Sequence, residues 1–156
     1  MTVDLTVDVG VLMSGSNLGD LRHSAPSLEL MKTIEAKPQW VLALDGRGRI
    51  RHQYETKVKR GFAMYWLQRL ATKGKLVNFA WQPLNRDIKA SLRELHFDNE
   101  DMKYVETAAL TECRMLVSHD DDYSPEIVRI LLRVPVHVKS AEGAMSLANP
   151  APGADA

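Results

Sequence analysis

"RMLVSHDDDYSPEIVRILLR", residues 114–133, contains one complete strand-to-helix unit. The apolar run "MLV" predicts a short buried strand. Ser124 suits a helix N-cap, and Pro125 suits the first position of the helix "PEIVRILLR" that follows. Between strand and helix stand three consecutive carboxylates, Asp120–Asp122, which repel one another unless they are solvated, paired with bases or bound to a cation.

The same alternation of strand and helix continues through the chain. Further short apolar runs predict strands at 5–13, 39–45, 75–81 and 134–139. Apolar residues at helical spacing predict helices around residue 54 and around the triplets Leu28, Met31 and Ile34; Phe62, Trp66 and Leu70; Ile88, Leu92 and Leu95; and Met102, Val105 and Ala109. Because parallel strands need long crossovers and are buried on both faces, we predict a three-layer α/β/α sandwich with a central, mainly parallel sheet.

Composition narrows the function classes. The chain has 156 residues, 45% of them hydrophobic, and we predict one domain at 1–147 with a disordered tail at 148–156. Twenty basic and twenty acidic residues exclude a wholly basic nucleic-acid-binding surface but allow a local basic patch. A single cysteine, a start without the features of a signal peptide and no apolar run near the ~20 residues of a membrane span favour a cytoplasmic protein with no membrane partner.

The candidate acidic residues occur in three separate segments of the chain. Asp8 lies among β-branched residues, where a charge is costly unless compensated, and the following "VGVLM" is not typical of a helix that Asp8 would cap. Asp120 and Asp122 follow a strand, and Asp101 begins a helix whose core-facing stripe it borders. Ligands of open parallel sheets collect at the carboxyl ends of strands, so we expect these acids to converge. Carboxylates without Cys or paired His favour Mg²⁺ or Mn²⁺.

Each acid also has an ordinary explanation. Asp98 and Asp101 fit the first turn of a helix, where acids interact favourably with the helix dipole. The "HDDDYSP" segment fits a solvated loop before the Ser124 cap. The combination of three acidic segments in this order favours a metal site.

In that combination the chain resembles the PIN-domain nucleases, which include the ribonuclease toxins of bacterial toxin–antitoxin pairs. The family's opening Asp-x-Asn-Val-Leu is similar to "DVGVLMSG", and its closing Leu-Val-Thr-x-Asp-x-Asp-Phe is similar to "LVSHDDDY". Between them, "EDMKYVETAAL" resembles a family helix that begins with an Asp. The resemblance spans about residues 3–138.

The resemblance implies a metal-dependent endoribonuclease that hydrolyses RNA phosphodiesters with Mg²⁺ or Mn²⁺. It implies that Asp8, Asp101 and Asp120 hold the metal, that Asp122 is an auxiliary acid, and that Ser118 replaces the hydroxyl residue that orients the fourth carboxylate. It also implies a homodimer and a small antitoxin-like protein partner; the helix that carries Phe62, Trp66 and Leu70 fits either a dimer face or the core.

Two positions depart from the family pattern. Gly10 stands where the family has Asn, so a polar group is missing unless Ser14 or Asn17 supplies it. Gln53 stands where the family has a second acid, and a neutral amide is a poorer ligand for a hard cation. Glu55 lies about 200° further around a helix. Either a backbone shift lets Glu55 act as a catalytic acid, or the site binds metal weakly.

A basic segment stands beside this position. Arg47, Arg49 and Arg51, with Gln53 and Ser118, are the predicted substrate-binding residues, and Lys57, Lys59 and Arg60 continue the basic segment. Trp40, Tyr54 and Tyr123 are candidates for stacking on unpaired bases. The alternative is an ordinary solvated basic loop. RNA is the substrate that the resemblance implies, and single-stranded DNA stays open.

Two other function classes remain. The first is a module that binds nucleic acid or protein without catalysis, in which Gln53 and Gly10 have weakened the metal site. The second is a receiver-type signalling domain, which also gathers acids at strand ends. It fits less well, because paired acids after the first strand and a lysine in the late loop are not evident.

Overall fold

The structure is a computed structural model that describes residues 2–16, 21–58 and 62–148. Five strands form one sheet: β1 Val3–Val7, β2 Trp40–Asp45, β3 Leu76–Phe79, β4 Met115–Val117 and β5 His137–Lys139. The helices are α1 Val9–Gly15, α2 Ser24–Ala36, α3 Arg49–Lys57, α4 Phe62–Thr72, α5 Arg86–Glu94, α6 Asn99–Ala108, α7 Pro125–Leu131 and α8 Ala141–Met145, with a 3-10 turn at Leu21–His23. Residues 149–156 of the predicted tail and the basic residues Lys59 and Arg60 lie outside the described residues.

The strand order is β3-β2-β1-β4-β5, and every described pairing is parallel. This confirms the three-layer α/β/α prediction. The chain builds outward from β1 to β3 on one side and then returns to place β4 on the other side of β1. Strand order therefore reverses between β1 and β4, which is where ligands bind in open α/β sheets.

The register between β1 and β4 aligns the acidic segments. Val7 pairs with Val117, and the amide of Asp8 donates a hydrogen bond to the carbonyl of Val117 at 2.9 Å. Asp8 and Ser118 consequently emerge side by side at the carboxyl edge of the sheet.

Helix α6 packs against β1, β2 and β4, in the centre of one face. All of its residues from Asp101 to Ala108 are buried, including Lys103 and Glu106. A helix buried on every side needs internal partners for its polar residues, and those partners determine much of the site described below.

The predicted first strand was wrong beyond Val7. The chain turns at Asp8 into α1, and Val9, Val11 and Leu12 are buried as helical residues. Their β-branched character favoured a strand in the sequence, but tertiary packing overrides that weak propensity.

Two further details correct the predicted apolar faces. Leu95 follows α5 as its C-cap and is exposed, so it does not continue the stripe of Ile88 and Leu92. In α4, Trp66 and Leu70 belong to the core, and the Trp66 indole donates a hydrogen bond to the Met31 carbonyl at 3.1 Å. Core packing therefore accounts for these two residues without a dimer face.

None of the described helices has the length and apolar character needed to cross a membrane.

Candidate metal centre

Three carboxylates from distant parts of the chain meet at the carboxyl edge of the sheet. Asp8 lies at the end of β1, Asp101 in the first turn of α6, and Asp120 in the loop after β4. One oxygen from each lies within 4.8 Å of the others. We call Asp8, Asp101 and Asp120 the acidic triad.

Asp8 is held from two directions. It is the N-cap of α1, and its Oδ1 accepts a hydrogen bond from the Gly10 amide at 3.2 Å. Its Oδ2 accepts a hydrogen bond from the Ser118 hydroxyl at 2.8 Å. The capping role, which the sequence analysis did not expect, therefore coexists with a place in the triad.

Ser118 connects two members of the triad. While its hydroxyl donates to Asp8, its oxygen accepts the Asp120 amide at 3.1 Å. Ser118 therefore orients the Asp8 carboxylate directly and also holds the backbone of Asp120.

Burial, followed by neighbouring carboxylates, raises the pKa of the two buried members of the triad. Burial, together with the charges of Asp8 and Asp120, raises the pKa of Asp101 to about 7. Burial also raises the pKa of Asp8, although the hydrogen bonds from Ser118 and Gly10 counteract it. Neither Asp8 nor Asp101 forms an ion pair with a described residue. The triad thus brings together three carboxyl groups, and no described ion pair engages the two buried ones.

A second group of acids shares Asp101. Oxygens of Asp98, Asp101 and Asp122 lie within 4.8 Å of one another. Asp98 is also the N-cap of α6, where it accepts the Glu100 amide at 2.9 Å. The Asp122 amide donates to Asp120 Oδ1 at 2.9 Å, and the charge of Asp120, followed by burial, raises the pKa of Asp122.

The residues fit a divalent cation on two grounds. Three convergent carboxylates are the oxygen donors that Mg²⁺ and Mn²⁺ prefer. In addition, the Tyr123 hydroxyl is buried and has no hydrogen-bond partner among the described residues. Burial and the charges of Asp8 and Asp101 raise the pKa of Tyr123, so it stays a neutral donor near the acids, where a ligand of the cation can satisfy it.

Gln53 does not join the triad. Its Oε1 accepts a hydrogen bond from the Tyr104 hydroxyl, whose oxygen accepts the Val9 amide at 3.3 Å. Gln53 therefore connects α3 through α6 to the start of α1. Glu55 is not brought to the triad either: α3 is helical from Arg49 to Lys57, and the Glu55 carboxylate accepts a hydrogen bond from Arg51 at 3.1 Å.

The three arginines of the basic segment have different surroundings. Arg49 Nε donates to Asp45 Oδ2 at 3.2 Å, and its Nη2 lies 3.8 Å from Glu106 Oε1. Arg51 is engaged by Glu55. Arg47 lies over the Trp81 ring, with its guanidinium carbon 4.1 Å from the ring centroid, and remains exposed.

Asp45 is a buried acid with a structural role. Burial raises the pKa of its carboxyl, but hydrogen bonds from the Ile50 and Arg49 amides and from the Arg49 guanidinium outweigh that effect and lower it overall. Asp45 therefore anchors the start of α3 and is not one of the acids that converge.

The predicted base-stacking aromatics were wrong for two of three residues. Trp40 is buried in the core, and the buried Tyr54 hydroxyl donates to the Val7 carbonyl. Tyr123 is partly exposed, but its ring packs edge-on against Phe97 with 5.5 Å between centroids. The Tyr54 and Tyr123 rings therefore pack beneath the carboxyl edge, whereas Trp40 lies at the start of β2, at the amino edge.

Some surrounding residues were not singled out from the sequence. Tyr104 and Lys103 lie on α6 next to Asp101, but nothing in the sequence indicates that this helix is buried on every side. Gly10 has open space where a side chain would begin, and Ser14 is buried beside Asp8 in a cleft of about 170 Å³. Asn17 lies outside the described residues.

Comparison of the chain with protein-family models, curated protein sequences and solved structures found no significant match. The likeness to PIN-domain nucleases accordingly stays a prediction from the sequence motifs.

Proposed function

We propose that the protein is a nuclease that uses Mg²⁺ or Mn²⁺ at the acidic triad to hydrolyse RNA phosphodiesters. The observation that carries the proposal is the meeting of Asp8, Asp101 and Asp120 within 4.8 Å, with two of the three buried and not ion-paired to described residues. Burying like charges together is costly unless a cation compensates them.

The residues have distinct roles in this proposal. Asp8, Asp101 and Asp120 hold the cation, and Ser118 fixes the orientation of Asp8. The cation supplies Lewis acidity, which activates water and neutralises charge on the scissile phosphate. Asp122 is the auxiliary acid, within reach of Asp101. The Tyr123 hydroxyl is a buried donor without a described partner, and burial and the acids raise its pKa, so a ligand at the site can accept its hydrogen bond.

The second candidate is a binding module with a weakened metal site. Gln53 is neutral and its Oε1 is bonded to Tyr104, and the Glu55 carboxylate is paired with Arg51. Neither residue therefore adds a negative charge to the triad. Fewer carboxylates lower the affinity for a hard cation. If that loss is large, the protein binds nucleic acid or protein without cleaving. A homodimer and an antitoxin-like partner are compatible with both candidate functions. The mass of the protein or of its complex in solution tests for them.

The test is cleavage of labelled single-stranded RNA, with DNA of the same sequence in parallel, in Mn²⁺, in Mg²⁺ and in excess chelator. Asp8→Asn and Asp120→Asn should abolish metal-dependent cleavage. Asp121→Asn is the matched control, because Asp121 lies in the same loop and belongs to neither acidic group. Cleavage that survives chelation, or equal loss in the control, would contradict the metal mechanism. Absence of cleavage by wild-type protein would favour the binding module.

A further inference from the structure

A larger cavity lies beside the acidic triad, between α3 and the first turns of α6. Its volume is about 830 Å³, and ligand sites typically occupy roughly 300–1,000 Å³. Helix α6 contributes to both sites, with Asp101 in the triad and Lys103 in the cavity wall. Gln53 in the cavity wall also accepts a hydrogen bond from Tyr104, whose oxygen accepts the amide of Val9, the residue directly after Asp8. A chain molecule that occupies the cavity therefore lies next to the triad.

The cavity presents positive charge that internal acids do not fully neutralise. Four permanent cations line it against the single acid Glu100: Arg47, Arg49, Lys57 and Lys103. Arg49 is paired with Asp45 and Glu106, and Lys103 lies 3.6 Å from Glu100.

The remaining basic groups are available to a ligand. Lys57 and His52 are exposed, and neither side chain has an ion pair or hydrogen bond with a described residue. Stacking on Trp81 restrains Arg47 without removing its charge. A restrained cation beside two unpaired basic groups attracts an anion.

Gln53 adds a neutral donor to this wall. Tyr104 donates its hydroxyl hydrogen to Gln53 Oε1, and its own oxygen accepts the Val9 amide. That bond fixes which end of the amide is engaged, so the Nε2 hydrogens are left for a ligand. A glutamate at this position would offer a negative charge and no donor. The residue that departs from the nuclease pattern therefore suits an anion better than an acid would.

We propose that this cavity binds a backbone phosphate of single-stranded RNA, one that flanks the phosphodiester held at the acidic triad. Lys57 and Arg47 carry the charge interaction, and His52 and Gln53 offer hydrogen bonds. Phosphate contacts of this kind position a nucleic acid without reading its sequence. The inference rests on the proposed function for the identity of the ligand as RNA.

The test is fluorescence anisotropy of a labelled single-stranded RNA oligonucleotide in excess chelator, where metal-dependent cleavage is absent. The variant is the double substitution Lys57→Gln with His52→Gln, and both side chains are exposed, so the fold should be retained. We expect the dissociation constant to rise about tenfold, with a weaker dependence on salt because a phosphate contact is lost. Gln53→Glu should also weaken binding.

The matched control is Lys32→Gln, which removes one positive charge from the exposed face of α2, outside the cavity. Its affinity for RNA should stay within about twofold of wild type. Double-variant binding equal to wild type, or an equal loss in the control, overturns the inference.

Cleavage separates this result from the proposed function. If the double variant loses affinity while wild-type protein does not cleave in Mn²⁺, the inference stands and the nuclease proposal fails. If wild-type protein cleaves while the double variant binds and cleaves normally, the cavity inference alone fails. A DNA oligonucleotide that binds more tightly than RNA overturns the assignment of the ligand as RNA.

Discussion

Asp4 and Asp8 lie four residues apart on the same strand segment, and each is 4% exposed, yet their neighbours differ. At the amino edge of the sheet, the Asp4 carboxylate accepts the Glu112 amide at 2.8 Å and the Cys113 amide at 2.9 Å. At the carboxyl edge, Asp8 faces Asp101 and Asp120.

Lys75, at the amino edge, is a second buried charged residue whose hydrogen-bond partners are backbone groups. Its buried ammonium group donates to the carbonyls of Ile34 at 2.9 Å and Trp40 at 3.0 Å, and also to that of Lys37. Buried charges at that edge are satisfied by the backbone and hold elements together. Those at the carboxyl edge are gathered with like charges, which costs stability unless a ligand compensates. The contrast distinguishes a structural acid from a candidate functional one without reference to relatives.

The largest predicted effect is on cleavage. Asp101→Asn removes a proposed metal ligand, and we expect metal-dependent cleavage to fall by more than about 100-fold. Initial rates in Mn²⁺ measure this. Asp4→Asn, assayed well below its melting temperature, should retain near wild-type activity. Wild-type activity in the Asp101→Asn variant would contradict the assignment of the functional site to the carboxyl edge of the sheet.

The next effect concerns the pH dependence of stability without metal. The folded pKa of Asp101 is about 7, above its unfolded value near 3.8. Its contribution therefore favours folding most below about pH 4 and is lost as pH rises to about 7. Relative to wild type, Asp101→Asn should gain on the order of 1–3 kcal/mol of metal-free stability between these limits.

Urea unfolding in chelator at several pH values measures this difference. A difference between variant and wild type that stays constant with pH would show that Asp101 is not perturbed by its neighbours.

At the amino edge we expect a loss of stability instead. Asp4→Asn keeps one acceptor oxygen but places an amide donor against two backbone amides, which should cost about 1–2 kcal/mol at neutral pH. Thermal melting with and without Mn²⁺ checks this. The variant should melt earlier and still gain stability from Mn²⁺. Loss of the Mn²⁺ response would show that Asp4 affects the metal site, which would contradict the distinction between the two edges of the sheet.

The smallest effect is expected at Tyr123. Tyr123→Phe removes a buried hydroxyl that has no partner in the described part of the chain, so metal-free stability should change by less than about 1 kcal/mol. Cleavage should fall several-fold, because the hydroxyl no longer donates toward the site. Rates and melting curves measured together test this pattern. A large loss of stability would instead show that the hydroxyl already has a partner.

The sequence sufficed for the sheet and for the acids at its edge. Strand runs such as "MLV" and caps such as Ser124 are local signals, and the structure contains the corresponding β4 and α7. The parallel class places the ends of β1 and β4 at one edge, which is why Asp8 and Asp120 were candidates before their geometry was known.

Contacts between residues that are far apart in the sequence could not be predicted from local patterns. Gln53 meets Tyr104 across 51 positions, and no local pattern indicates this hydrogen bond. Arg49 is as basic as Arg47 in the sequence, but only the fold shows that Asp45 and Glu106 engage it. The short α1 was missed because its valines favour a strand when considered alone.

The most direct test of the metal centre is calorimetric titration of the metal-free protein with MnCl₂ near pH 7, in two buffers of different ionisation enthalpy. We predict saturable binding with release of a fraction of one proton, because Asp101 must lose its proton to hold the cation. Asp101→Asn should lose that binding, and Asp4→Asn should keep it. Absence of saturable binding at millimolar Mn²⁺, or binding unchanged in Asp101→Asn, would contradict the claim that the acidic triad is a metal site.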